Sequence, residues 1–368
     1  MLDYASHSSN YTDSVSLFVA MRRRNLLKSA TLVILSASAT TVLGSCNQTA
    51  STSDSDATDS SATDSSAESS SATLRVGLVP WLGWGEAKIA EAMGYFEEEG
   101  IDVQQTVFQS VTEVNTAFLS GQIDLVWLVA GDLVVLSDTT PGLKFIYVSD
   151  YSGEVDAIVG RNVASPADLA GKTLAREEVP YEIVFVEKFL EFADLSKDDV
   201  NVVPLTAADG SVALVAENLD AVATYEPFVS NALNASDENT ILFSAAGTNI
   251  IVNGLASSEA FLTERRDDVL AYLRAVEKAN QFRDNNQAEA YQIIADWIGV
   301  SPEEVADLMG KITLLDAADN KVIAFAADND LNVADSIDSA GPILVEAGVA
   351  KQAIPGEELV DGSFVAEL

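Results

Sequence analysis

The sequence predicts an α/β protein of two lobes, each a mostly parallel sheet flanked by helices, followed by a helical C-terminal region. Three observations predict it. From Thr73 onward short apolar runs alternate with amphipathic stretches, the alternation occurs twice in similar form, and beyond Ser257 only helical periodicity continues. With 368 residues, 48% of them apolar, the chain can build two cores.

The first series opens with a strand over Leu74–Val79 and a helix over Gly85–Met93 that ends near Gly94. Strands at Asp102–Phe108, Ile123–Val129 and Leu143–Ser149 then alternate with helices at Val111–Ser120 and Asp132–Ser137. In the second series strands are expected near Ala157–Val159, Thr173–Arg176, Asn201–Pro204, Ala221–Thr224 and Ile241–Phe243. Helices at Tyr181–Phe192, Gly210–Glu217 and Pro227–Leu233 separate them. The run Ala117 to Val126 matches Ala213 to Val222 in pattern, each a helix end turning into a buried strand. Ile250–Ser257 reads as a strand returning to the first lobe, and helices follow at Glu259–Asn285, Gln287–Ile298, Pro302–Gly310 and Asp335–Ala347. Lobe one is therefore expected at 73–156 with 250–368, and lobe two at 157–249.

Charge excludes several partners. Lys and Arg number 20 against 57 Asp and Glu, a formal net charge of −37, so nucleic acid and anionic lipid surfaces repel the chain. A carboxylate-covered surface of this kind fits a saline habitat. The only Cys is Cys46 and the only His is His7, both upstream of the folded body. That body cannot form a Ser-His-Asp triad, a Cys-His dyad, a His/Cys zinc site or a disulfide. Neither a cofactor nor a metal is expected.

Residues 1–45 read as a leader. A basic segment from Met21 through Lys28, an apolar stretch from Ala30 to Leu43 and small residues before Cys46 form a secretory signal, too short to span a bilayer. Arg23-Arg24-Asn25-Leu26-Leu27-Lys28 resembles a twin-arginine signal with Leu26 where Phe is usual, so two export routes stand open. The first twenty residues fit no signal region, which makes Met21 an alternative start. Leu43-Gly44-Ser45-Cys46 resembles a bacterial lipobox, implying lipidation of Cys46. The segment 46–72 that follows is almost wholly Ser, Thr, Asp and Ala, a composition expected to form a disordered tether.

Four pieces of the body carry a family resemblance. They are Ala90 through Phe96 before Gly100-Ile101-Asp102-Val103, then Gly121-Gln122-Ile123-Asp124, then Ser165 through Lys172, and Asp220 through Pro227. In this order they resemble the periplasmic-binding proteins that serve nitrate, sulfonate, taurine and thiamine-precursor ABC importers. The resemblance covers nearly all of Leu74 to Leu368. It implies a type II-like two-lobed fold closing on a small solute, partnership with permease and ATPase subunits, and a monomer. With the lipobox, it places the protein at the outer face of the cytoplasmic membrane, in the periplasm, held there by the lipid anchor alone. The same family includes pyrimidine-synthesising enzymes that depend on a histidine and a cysteine-rich motif, both missing here, which argues for binding rather than catalysis.

Ligands of such sheets sit beyond the strands' carboxyl ends. There the sequence offers Trp81 and Trp84 in a Pro/Gly loop after the first strand, Gln109 and Ser110 after the second, and Asp150, Tyr151 and Ser152 after the fourth. Lobe two offers Glu177, Tyr181, Tyr225 and Glu226. One indole can instead pack under the following helix, and Asp132 or any of these carboxylates can instead cap a helix or face solvent. With few bases in these loops, the set resembles an aromatic-and-carboxylate box suited to an amine-bearing or heteroaromatic solute. A carboxylate-dependent enzyme and a sensing or scaffolding lipoprotein are the competing classes.

Overall fold

The computed structural model describes residues 72–368. The leader, Cys46 and the tether up to residue 71 lie outside the described residues. Strands β1 (Leu74–Leu78), β2 (Val103–Val107), β3 (Leu125–Val129) and β4 (Leu143–Tyr151) form where the apolar runs end in turns. The second series gives β5 (Asp156–Arg161), β6 (Thr173–Arg176), β7 (Asn201–Pro204), β8 (Ala221–Tyr225) and β9 (Asn239–Ser244). The chain then adds β10 (Val252–Ser258) and the two-residue β11 (Thr313–Leu314).

Two sheets result. The first has the order β11-β4-β10-β3-β1-β2 and the second β7-β6-β8-β5-β9. Parallel pairing of β1 with β2 and β3, and antiparallel pairing of β10 with β3 and β4, make β1 to β4 point one way with β10 reversed. The second sheet repeats the scheme, with β6 to β9 pointing one way and β5 reversed. Within each sheet the carboxyl ends of four strands therefore share one edge. The chain passes between the sheets twice, after Tyr151 and after Ser244.

Strand β3, Leu-Val-Trp-Leu-Val, is buried at every position, as a strand covered on both faces must be. On one face helices Gly85–Ala92, Arg266–Asn285 and Gln287–Ile298 enclose Trp127, Tyr147 and Tyr272. The Trp127 Nε1 donates to the Tyr272 hydroxyl at 2.9 Å, which satisfies both polar tips in this core. Helices Val111–Leu119, Asp132–Ser137 and Val333–Glu346 cover the other face. In the second sheet Pro180–Phe192 lies on one side, and Ala207–Val215 with Phe228–Ala235 on the other.

Two features depart from the sequence reading. The expected helix Glu259–Asn285 is two, because Arg265 leaves helical geometry at φ −119°, ψ 32° and a new helix starts at Arg266 with Asp267 and Asp268 in its first turn, where acidic groups favour the helix dipole. Asn320, fully buried in a five-residue π-helical turn, accepts from Val148 N and donates to Val148 O, both at 2.8 Å. One side chain thus pairs the β4 backbone as a neighbouring strand would, and no periodicity announces it.

Candidate functional site

At the shared edges of the two sheets a cavity of about 750 Å³ opens. Its walls come from the β1 loop (Val79, Trp81), the β2 loop (Gln109, Ser110), and the ends of β6 and β8 (Glu177, Tyr225, Glu226). Ile298 and Leu308 from two C-terminal helices, with Val300 from the turn between them, close one side. A smaller space of about 50 Å³ adjoins it, lined among others by Trp81, Trp84, Ser152, Asp156, Tyr181 and Tyr225.

The β1 loop supplies both indoles, with different placements. Trp81 is half-buried in the β1 loop, its edge against Tyr225 of the second sheet at 6.4 Å between centroids and 79° between planes. Its Nε1 donates to Asp150 Oδ2 at 3.3 Å. Trp84 is buried against Trp127 at 6.2 Å, yet its Nε1 has no partner and its ring borders the smaller space. Packing under the helix and lining the site thus coexist in one residue.

Three of the expected residues, Ser110, Glu177 and Glu226, accept backbone N–H groups while also bordering the cavity. Ser110 Oγ accepts from Glu113 N at 3.2 Å, and the exposed Gln109 donates its own N–H to Glu113 Oε2. Glu177 Oε1 accepts from Ala207 N at 2.7 Å. Glu226 accepts from both Ser230 N, at 3.0 Å, and Ser230 Oγ, at 2.8 Å. Such capping fixes the loops on which cavity groups sit.

The β4 end departs most from expectation. Asp150 is fully buried behind Trp81 rather than on the cavity wall, accepting from Ser149 Oγ and Asn253 Nδ2 at 2.8 Å each. Burial pushes its carboxyl up to about 7 against those hydrogen bonds. Tyr151 points the other way, into the core beneath Val333–Glu346, and its hydroxyl donates to the Leu331 carbonyl. Ser152 is buried and accepts from Asn253 Nδ2 at 3.0 Å beside the smaller space.

Two carboxylates outside the expected set join the site region. Asp132 does not cap its own helix: its Oδ1 accepts from Tyr181 N at 3.2 Å, joining the helix after β3 to the first turn of Pro180–Phe192 in the second lobe. Its Oδ2 accepts from Asn115 Nδ2, and burial pushes the group up to about 7. Asp156 opens β5, is 5% exposed, and its Oδ2 has no partner. Burial pushes it up to about 7, opposed by Ser152 and aided by the charges of Asp150 and Glu226. An Asp at the head of the apolar run Ala157–Val159 was the signal available for Asp156. Among the described residues, those lining the two spaces include no Lys, Arg or His.

A two-lobed α/β body with its cleft at the strands' carboxyl edges is the periplasmic-binding-protein fold. The family described as NMT1/THI5 like matches residues 87–290, more than half of the chain, and the chain belongs to that family. Among solved structures, the periplasmic aliphatic sulphonate binding protein SsuA from Escherichia coli superposes with a TM-score of 0.65 at 16% identity, covering 78% of this chain and 91% of that one. The alkanesulfonate-binding protein SsuA from Xanthomonas axonopodis pv. citri, bound to MOPS, gives 0.62 at 16% identity, with 79% and 98% covered. The desulfurization enzyme DSZB gives 0.57 at 13% identity, with 80% and 98% covered. No curated protein sequence matches. Likeness at these identities establishes the fold.

Proposed function

We propose that the protein is the exported, lipid-anchored solute-binding component of an ABC importer, capturing a small organic nitrogen- or sulfur-containing solute between its lobes. Trp81, Trp84, Gln109, Ser110, Ser152, Glu177, Tyr181, Tyr225 and Glu226 are its proposed contacts, with Asp150 orienting Trp81 from behind. The observation that carries this reading is the cavity of about 750 Å³ walled by both sheets, a size and lining suited to one small ligand. Membership of the family supports the same class. Lobe closure on the solute then presents a complex that permease and ATPase subunits recognise. Lipidation at Cys46 tethers it at the outer face of the cytoplasmic membrane.

The chemistry of the cavity supports binding over turnover. The described residues include no Cys and no His, and the cavity carboxylates Glu177 and Glu226 are engaged as caps. A thermal-shift screen of the full-length chain against sulfonates, nitrate, amines, pyrimidines and purines tests the reading. A ligand at a hundred times its Kd adds about 2.7 kcal/mol, and it should be recovered unchanged. Turnover of the ligand would sink the binding role, and a melt unmoved by every class would favour a scaffolding lipoprotein. Fatty-acid labelling that persists in a Cys46→Ser variant would remove the anchor.

A further inference from the structure

We propose that the inner end of the cleft takes a protonated nitrogen group, an ammonium head on a small organic solute, with the Asp156 carboxylate as its counterion and Trp81, Trp84, Tyr181 and Tyr225 as its walls. The inference rests on reading the cleft as the solute site and names the chemistry of the solute.

Asp156 Oδ2 is the starting point. The residue is 5% exposed, borders the space of about 50 Å³ and leaves this oxygen without a hydrogen bond. A buried carboxylate oxygen with no donor is costly, and two events relieve it: protonation, or arrival of a donor that carries positive charge. The protein supplies no such donor, because among the described residues none lining either space is Lys, Arg or His.

The charged side chains lining the two spaces are all acidic, and the nearest bases are turned elsewhere: Arg176 to the Glu177 carbonyl and Glu178, Lys311 to Asp307. Asp150 and Glu226 both push the Asp156 carboxyl up, and Asp156 in turn acts on Glu182, Tyr181 and Tyr225. Glu177 and Glu226 border the larger cavity. A sulfonate or carboxylate head would enter this field with no base to receive it, whereas an ammonium head would relieve it. The walls fit the same charge, since indole and phenol faces attract cations. Volume agrees as well. The space exceeds the roughly 30 Å³ share of one water, which suits a head group of a few heavy atoms, and the solute body extends into the larger cavity. Trp84 Nε1, also unpartnered, adds a donor for an oxygen or nitrogen acceptor on the same solute. Among the described residues no group of His, Cys, Asp and Glu is arranged to hold a metal ion, so an organic cation is the occupant argued for.

The test uses three probes of matched shape, benzylamine, benzyl alcohol and phenylmethanesulfonate, titrated calorimetrically into the full-length chain at pH 8. Benzylamine is expected to bind at least tenfold more tightly than benzyl alcohol, and an Asp156→Asn variant that still melts cooperatively should erase that advantage. The comparison of amine with alcohol is made on the unaltered protein, so it stands even if the variant fails to fold. Equal binding of amine and alcohol overturns the inference. Tighter binding of the sulfonate, lost in a Trp81→Ala variant, overturns it too while keeping the cleft as the solute site. Binding of none of the three overturns both.

Discussion

The buried ion pair beneath the site sets the scale for one stability prediction. Glu86, in the helix that follows the β1 loop, is 3% exposed, and Arg283 of the helix packed against it is 8% exposed. The Arg283 guanidinium donates to Glu86 and, at 2.9 Å, to Asn280 Oδ1, with Asp284 at 3.0 Å on its outer side. Burial pushes the Glu86 carboxyl up, and Arg283 opposes that push. An Arg283→Met substitution keeps much of the volume and strands the carboxylate. Breaking a buried pair in this way costs about 3–5 kcal/mol. Glu86 can escape by taking up a proton, at 1.36 kcal/mol for each unit between the ambient pH and its ordinary 4.5. That route caps the electrostatic loss at about 3.4 kcal/mol at pH 7 and about 0.7 kcal/mol at pH 5. The sign follows from linkage: with a raised folded pKa the folded state binds more protons, so the variant's deficit shrinks as pH falls toward the unfolded value. Denaturant unfolding of wild type and variant at both pH values measures it. A double Glu86→Gln, Arg283→Met variant should regain most of the loss at pH 7. A deficit equal at pH 5 and pH 7 would refute the reasoning.

Three further outcomes are expected. Because Asp132, Asp150 and Asp156 are each pushed up to about 7 by burial, the unfolded chain ionises them near 3.8 while the folded chain does not. Stability of the ligand-free protein should therefore fall as pH rises from about 4 to 7, and thermal melts of Asp156→Asn should show a smaller fall. In a Gly83→Ala variant the added Cβ would sit 1.9 Å from Asp150 Oδ2, displacing the acceptor of Trp81; overpacking predicts a loss of about 1–3 kcal/mol and weaker ligand binding by calorimetry, and unchanged affinity would detach Asp150 from the site. Replacing Asp132 by Ala leaves Tyr181 N without its acceptor across the lobes, worth about 1–2 kcal/mol, so stopped-flow ligand dissociation should accelerate roughly tenfold. Asp132→Asn keeps an acceptor and should stay near wild type.

Alternation of β-branched runs with amphipathic stretches made the strands legible, because burial on both faces of a sheet imposes an apolar run that composition alone reveals, as at Leu125–Val129. Turn residues after those runs marked the loops, which is why Trp81, Gln109, Glu177 and Tyr225 could be named and are found on one cavity. What periodicity could not carry was which way a residue faces where the register changes. Tyr151 and Ser152 are neighbours at the end of β4, yet one enters the core and the other borders the smaller space. The role of Asp132 was equally hidden, since an Asp at a helix start ordinarily caps its own helix, and here its partner is an N–H 49 positions away on the opposite lobe.

Carboxylates posed the hardest problem in a chain carrying 57 of them, because surface solvation, capping and ligand contact all use the same residue type. The structure separates them by burial and by partner. Glu177 and Glu226 each give an oxygen to a backbone N–H and still border the cavity; Asp150 holds an indole in place from behind. Asp156 alone among these four keeps an oxygen both buried and unpaired. A buried, unpaired carboxylate oxygen is costly on its own, and on the proposed reading that cost is offset when a cation pairs with it. If the cleft takes a cation as proposed, the feature that makes Asp156 a poor contributor to stability is also the one on which selectivity for that solute turns.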